Sequence, residues 1–65
     1  MINVEHMKER RKQNGMTQAQ LAERVSLSKD HIWKIEHGRV SPQLSTIAAL
    51  CLALDTDPNK LLGWE

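Results

Sequence analysis

Sixty-five residues are enough for one domain, and a chain of that size buries only about 60% of its unfolded surface, which leaves a thin margin of stability. A lone cysteine, Cys51, excludes an internal disulfide as a staple and is compatible with a reducing interior. The formal net charge of +1 and a pI near 8.0 exclude a strongly basic chain of the kind that coats nucleic acid through charge alone.

The amino terminus, MINVEHMKERRKQNG, is charged rather than apolar and so is not expected to be a signal peptide. Asn3 can cap a first helix running to about Asn14, with Gly15 in the left-handed exit position and Ile2 and Met7 as a hydrophobic staple. The apolar face of that helix is thin, since Arg10 and Arg11 follow Val4 and Met7. Thr17 and Gln20 then form a capping box, with Met16 and Leu21 as its staple, and Leu21, Ala22 and Val25 mark a helix over 18–25. After a turn containing Ser26 and Leu27, Ser28 caps a third helix over 29–36, stapled by Leu27 and Ile32 and ended by Gly38. Two helices this short cannot bury their apolar faces alone, so they must cross each other and rest on further helices. A pair joined by such a short turn has the form of a helix-turn-helix.

The connector RVSPQLS pairs Ser41 as a cap with Pro42 at the first position of a fourth helix reaching about Leu54. Leu44, Ile47, Leu50, Cys51 and Leu54 make its stripe the strongest in the chain, and Cys51 is read as part of that stripe rather than as a nucleophile. Asp57-Pro58 opens a short fifth segment in which Leu61, Leu62 and Trp64 are candidates to close the core. The longest apolar run, near residues 47–54, is too short to span a membrane, and a cytoplasmic location is expected. Charge is uneven along the chain. Residues 1–40 carry eight Lys/Arg against five acids, net +3, and residues 41–65 carry Lys60 against Asp55, Asp57 and Glu65, net −2.

These residues together resemble the Cro/lambda-repressor-type (Xre-like) helix-turn-helix family over nearly the whole chain. The resemblance rests on Arg11, Gly15-Met16-Thr17-Gln18 and Leu21-Ala22, then Ser28, Ile32 and Ile35-Glu36-His37-Gly38, then Pro42, Leu44, Thr46 and Ala53-Leu54. Each residue is weak alone, but the spacing of GxTQxxLA to SxxxIxxIExG is specific. The resemblance implies an all-α, compact five-helix domain over 1–65 with the helix-turn-helix at helices two and three. It also implies that Arg11 pairs with Glu36, which borders the core beside Ile35 and needs a partner; the alternative is two solvated charges. Ala22, being small, suits the crossing of the two helices. Three departures stand out: Ser26 where glycine is frequent, Arg10 where an apolar residue is frequent, and Asp55-Thr56 in place of a glycine and an aliphatic residue.

The resemblance further implies double-stranded DNA as partner, with the third helix in the major groove and its amino-terminal residues on base edges. Lys29, Asp30, Trp33 and Lys34 are the candidate readers. Lysines suit guanine O6 and N7, and a carboxylate can accept from cytosine N4. Asp30 equally suits the helix dipole and an ion pair with Lys34, and the two lysines equally suit a solvated face. Trp33 has three destinations: a thymine methyl or sugar, packing on helix four, or another interface. Phosphate anchoring falls to Gln18 at the start of the second helix, with Thr17, Ser28, His37, Arg39 and Ser41.

His6, His31, His37 and Cys51 lack metal-ligand spacing, and no phosphate loop or nucleophilic triad is present, so no metal, cofactor, small-molecule ligand or enzymatic activity is expected. One module reads one half-site, so a homodimer on a near-palindromic operator is expected, with Leu61, Leu62 or Trp64 as its contact surface unless they only seal the core. The expectation is therefore a small transcriptional regulator, a repressor by resemblance. The alternative is a protein-interaction module, such as an antitoxin or adaptor, on the same fold.

Overall fold

A computed structural model describes residues 2–64, and among them there are five helices and no strand. They are α1 (Val4–Gln13), α2 (Gln18–Arg24), α3 (Lys29–Glu36), α4 (Leu44–Leu54) and α5 (Pro58–Leu62). The local signals explain most of the boundaries. Asn3 Oδ1 accepts from the His6 amide at 3.1 Å, and Ser28 Oγ accepts from the His31 amide at 3.1 Å. Thr17 and Gln20 complete a reciprocal capping box at 3.1 and 2.8 Å. Asp57 Oδ1 caps α5 by accepting from the Lys60 amide at 2.9 Å, with Pro58 at the first helical position. The second helix stops at Arg24, and Val25 serves as its carboxy-terminal cap.

The core is one cluster: Met7, Met16, Leu21, Ala22, Ile32, Ile35, Leu50, Cys51, Leu54 and Leu61. The three staple residues Met7, Leu21 and Ile32 are completely buried, so the side chains that fix each helix entry also build the centre. α2 and α3 make the most extensive pairwise contact, α1 lies across α3, α4 and α5, and α5 closes against α1 and α4. The Asn3 amide donates to the Leu61 carbonyl at 2.7 Å, pinning the start of α1 to α5.

Three expectations are corrected. α4 does not begin at Ser41-Pro42, because Gln43 is still extended (φ −70°, ψ 162°) and caps the helix without a side-chain bond. The connector therefore runs through Pro42 to Gln43, and the helix starts two residues later than the Ser41-Pro42 signal indicates. Leu44 is not part of the buried stripe and is 81% exposed. The bonds from α1 to α4 fall at the Leu54 end, and ten residues of helix put Leu44 about 15 Å away from it. Leu61, expected as a possible dimer contact, is fully buried in the core.

Among the described residues, two other than glycine adopt left-handed backbone: Ser26 (φ 59°) in the α2–α3 turn and Asp55 (φ 53°) after α4. A left-handed L-residue costs roughly 1–2 kcal/mol, and a glycine there recovers most of that while losing about 0.5–1 kcal/mol to unfolded-chain entropy. Ser26→Gly is therefore expected to raise stability by about 0.5 kcal/mol and the melting temperature by roughly 2–4 °C. Ser26→Val should lower both. Thermal unfolding of the two variants checks this, and the reverse order would contradict the assigned backbone.

Candidate nucleic-acid interface

The interface is built on a buried charge. The Glu36 side chain is 0% exposed, with Arg11 Nε 2.7 Å from its Oε2 and Arg11 Nη2 3.3 Å from its Oε1. Arg11 Nη1 donates to the Met16 carbonyl at 2.9 Å, and Gln18 Nε2 donates to Glu36 Oε1 at 3.1 Å. One carboxylate thus holds α1, the α1–α2 turn and the first residue of α2 against the end of α3. Every donor is a fixed N–H group, so the pair positions α3 in rotation as well as in height.

With Ile32, Ile35 and Glu36 turned inward, the opposite face of α3 is left outward. Asp30, Trp33, Lys34 and His37 are all exposed, as is Lys29 at its start. Gln18, Lys29, Asp30 and Trp33 line a shallow depression where the two helix starts meet. Lys34 Nζ lies 3.2 Å from Asp30 Oδ2 on a surface where both side chains are half-exposed or more. Such a pair contributes only about 0.3–0.5 kcal/mol, so either end is free to exchange its partner at little cost.

Two capped helices packed on each other and joined by a short turn have the form of a helix-turn-helix, and comparison with known proteins agrees. The family described as "Helix-turn-helix domain" matches residues 4–62. The chain belongs to that family. This helix-turn-helix domain is 40% identical over 55 residues to the immunity repressor protein of Bacillus phage phi105, covering 85% of this chain and 38% of that protein. It is 42% identical over 48 residues to an uncharacterized HTH-type transcriptional regulator of Methanothermobacter thermautotrophicus, covering 74% of this chain and 70% of that protein. The chain therefore spans less than two-fifths of the phage repressor's length. No solved structure matches the chain.

Several anchoring candidates of this helix-turn-helix domain already have partners. The Gln18 side-chain amide nitrogen is committed to Glu36, and as the first residue of α2 its backbone N–H has no partner within the helix. The Thr17 and Ser28 hydroxyls accept backbone bonds as caps, and each keeps its own O–H to donate outward. Ser41 is exposed in the connector. Trp33 is 39% exposed, its ring stacked on His37 with centroids 3.9 Å apart and 18° between planes. The Arg39 guanidinium lies 5.8 Å from the centre of the Trp33 ring, within cation–π reach. Trp33, His37 and Arg39 thus form one assembly rather than separate contacts. The four-residue spacing of Trp33 and His37 is the sequence signal for it, and nothing in the sequence reports the return of Arg39 over the ring.

Elsewhere, burial pushes the Cys51 thiol up from its ordinary value and the Asp57 carboxylate adds to that shift, which keeps it a protonated core residue. Among the described residues no helix is long and apolar enough to cross a membrane.

Breaking the buried pair should cost far more than trimming its neutral partner. Arg11→Met leaves Glu36 buried without a counter-charge and is expected to destabilise the fold by about 3–5 kcal/mol, while Gln18→Ala removes one neutral donor for about 1–2 kcal/mol. Denaturant titration of both variants measures the difference, and equal losses would show that the charge is not the dominant constraint.

Proposed function

We propose that this chain binds double-stranded DNA sequence-specifically as a transcriptional regulator, acting as a repressor by occupying its operator. The observation that carries the reading is the division of α3 into a core face and an outward face bearing Lys29, Asp30, Trp33 and Lys34. An α-helix held this way fits the major groove, and its first two turns are the part that reaches base edges. The repressor role is supported by the phage relative named an immunity repressor. Lys34 donates to guanine, and Asp30, released from Lys34, accepts from cytosine N4. Arg39, the backbone N–H of Gln18 and the Thr17, Ser28 and Ser41 hydroxyls hold phosphates on either side.

Two copies bound a helical turn apart would read a near-palindromic site as a homodimer. With Leu61 committed to the core, the dimer surface reduces to half-buried Leu62 and to Trp64, which is 73% exposed. The whole reading places the protein in the cytoplasm with the DNA it regulates.

Phosphate contacts release counterions, so log affinity for a mixed-sequence duplex should fall linearly with log salt. Arg39→Ala should lower that slope by about one and weaken all sequences alike. Lys34→Ala should instead relax base preference at one position by about 1–3 kcal/mol. Fluorescence anisotropy across a salt series, with selection from a random duplex pool, measures both. A flat salt response would sink the DNA reading, and identical profiles for the two variants would sink the division into readers and anchors.

A further inference from the structure

His37 is the carboxy-terminal cap of α3, and its ring does two things at once. It stacks on Trp33, and its Nδ1 lies 2.9 Å from the Trp33 carbonyl oxygen. A carbonyl oxygen only accepts, so Nδ1 carries the hydrogen. In the neutral ring that assignment leaves Nε2 as a bare lone pair. An exposed lone pair cannot donate to a phosphate and is repelled by its oxygens. The neutral ring is therefore the wrong partner for DNA, although the residue sits at the edge of the proposed interface.

The surroundings identify what would partner the charged form. Lys34 lies one turn back on the same helix and is tied to Asp30, and Arg39 in the connector covers the Trp33 ring. Among the described residues no carboxylate of α1, α2 or any other element pairs with His37. No carboxylate among them therefore stands within ion-pair distance of the ring, and an imidazolium there would find its counter-charge in a phosphate diester rather than in the protein.

We propose that DNA binding by this chain is proton-linked through His37. On docking, the imidazole takes one proton from solvent at Nε2, Nδ1 keeps its bond to the Trp33 carbonyl, and the new Nε2–H donates to a phosphate oxygen. His37 then both holds the Trp33 ring by stacking and adds a cation beside Arg39. The proposal rests on the reading that the outward face of α3 meets DNA, and the experiment separates the two.

The affinity of the protein for a mixed-sequence duplex is measured at constant salt at about pH 6 and about pH 8, the window in which imidazoles change charge. A single linked proton gives up to about tenfold per pH unit, and a gain of roughly five- to twentyfold at the lower pH is expected. His37→Asn keeps an amide donor for the Trp33 carbonyl and cannot gain a charge. Loss of the ring stack on Trp33 weakens its binding at both pH values alike, and the readout is the ratio: its affinities at about pH 6 and about pH 8 should agree within roughly threefold, without the gain. His6 and His31 remain in that variant, so any contribution from them stays visible in it. If affinity is the same at both pH values, or if His37→Asn retains the gain, the proton link is overturned while DNA binding stands. If the unaltered protein binds no duplex at either pH, both readings fall.

Discussion

The Glu36 carboxylate has no solvent, so the protein must supply everything that keeps it charged. Removing an ion of that size from water costs several kcal/mol even after relaxation, more than any cap or staple in the chain returns. The cost is offset only because Arg11 approaches through two nitrogens while Gln18 adds a third donor. That requirement sets the architecture. α1 must cross α3 at Arg11, the Gly15–Met16 turn must bring α2 round so that Gln18 reaches the same oxygen, and α3 must end where Glu36 faces inward. Ile32 and Ile35 follow into the core by helical spacing, and the outward face of α3 is what remains.

A second polar joint governs the other end of the molecule. Arg10 Nε and Nη2 donate to the Leu54 and Asp55 carbonyls at 3.1 Å, and Asn14 Nδ2 reaches the Leu54 carbonyl at 3.1 Å. These groups satisfy the free carbonyls at the end of α4 and set a cation against the negative end of its dipole. His6 Nε2 lies 2.8 Å from Thr56 Oγ1 in the same joint. Arg10 and Asp55-Thr56 are two of the three departures from the family pattern, and in space they are one. Where an apolar residue would pack on a glycine turn, this chain has a guanidinium that bonds the turn's carbonyls. The left-handed backbone of Asp55 is part of that joint, since it turns the chain from α4 towards the cap of α5.

This explains what was legible in the sequence and what was not. Helix order, the caps at Asn3, Thr17, Ser28 and Asp57, and the core staples are local, set by residues three or four apart, and they were readable. The start of α4 is not legible, because Ser41-Pro42 carries a helix-start signal while the extended backbone at Gln43 sets the actual start. The exposure of Leu44 is not legible either, because periodicity reports a face but not where along the helix that face runs out of partners. The sequence leaves Leu61 two roles, because an apolar residue near the end of a short segment suits a core or an interface equally, and only packing decides. The partners of Arg10, the bond from Gln18 to Glu36 and the return of Arg39 to Trp33 all depend on tertiary contacts that no local pattern encodes.

The two joints also account for how so small a domain can present a well-defined outward face on α3. A core of ten buried side chains leaves little packing to spare for rigidity, and α3 is only eight residues long. Its orientation is fixed at both ends by groups that tolerate little displacement, the Ser28 cap at the start and Glu36 at the finish. Hydrogen bonds to a buried charge weaken steeply with distance and angle, so a rotation that would cost a Leu side chain little would cost this pair its geometry. The outward side chains are ordered by a different means. Trp33 carries few rotatable bonds, His37 is held by its own backbone bond, and their stack limits both rings before any partner arrives. Ordering of that kind reduces the entropy lost on association. Lys34 and Asp30 are ordered only by a weak exposed pair and remain adjustable. The surface of α3 therefore combines a preset aromatic edge with a pair of charges that can reorient, and the buried carboxylate fixes where both are displayed.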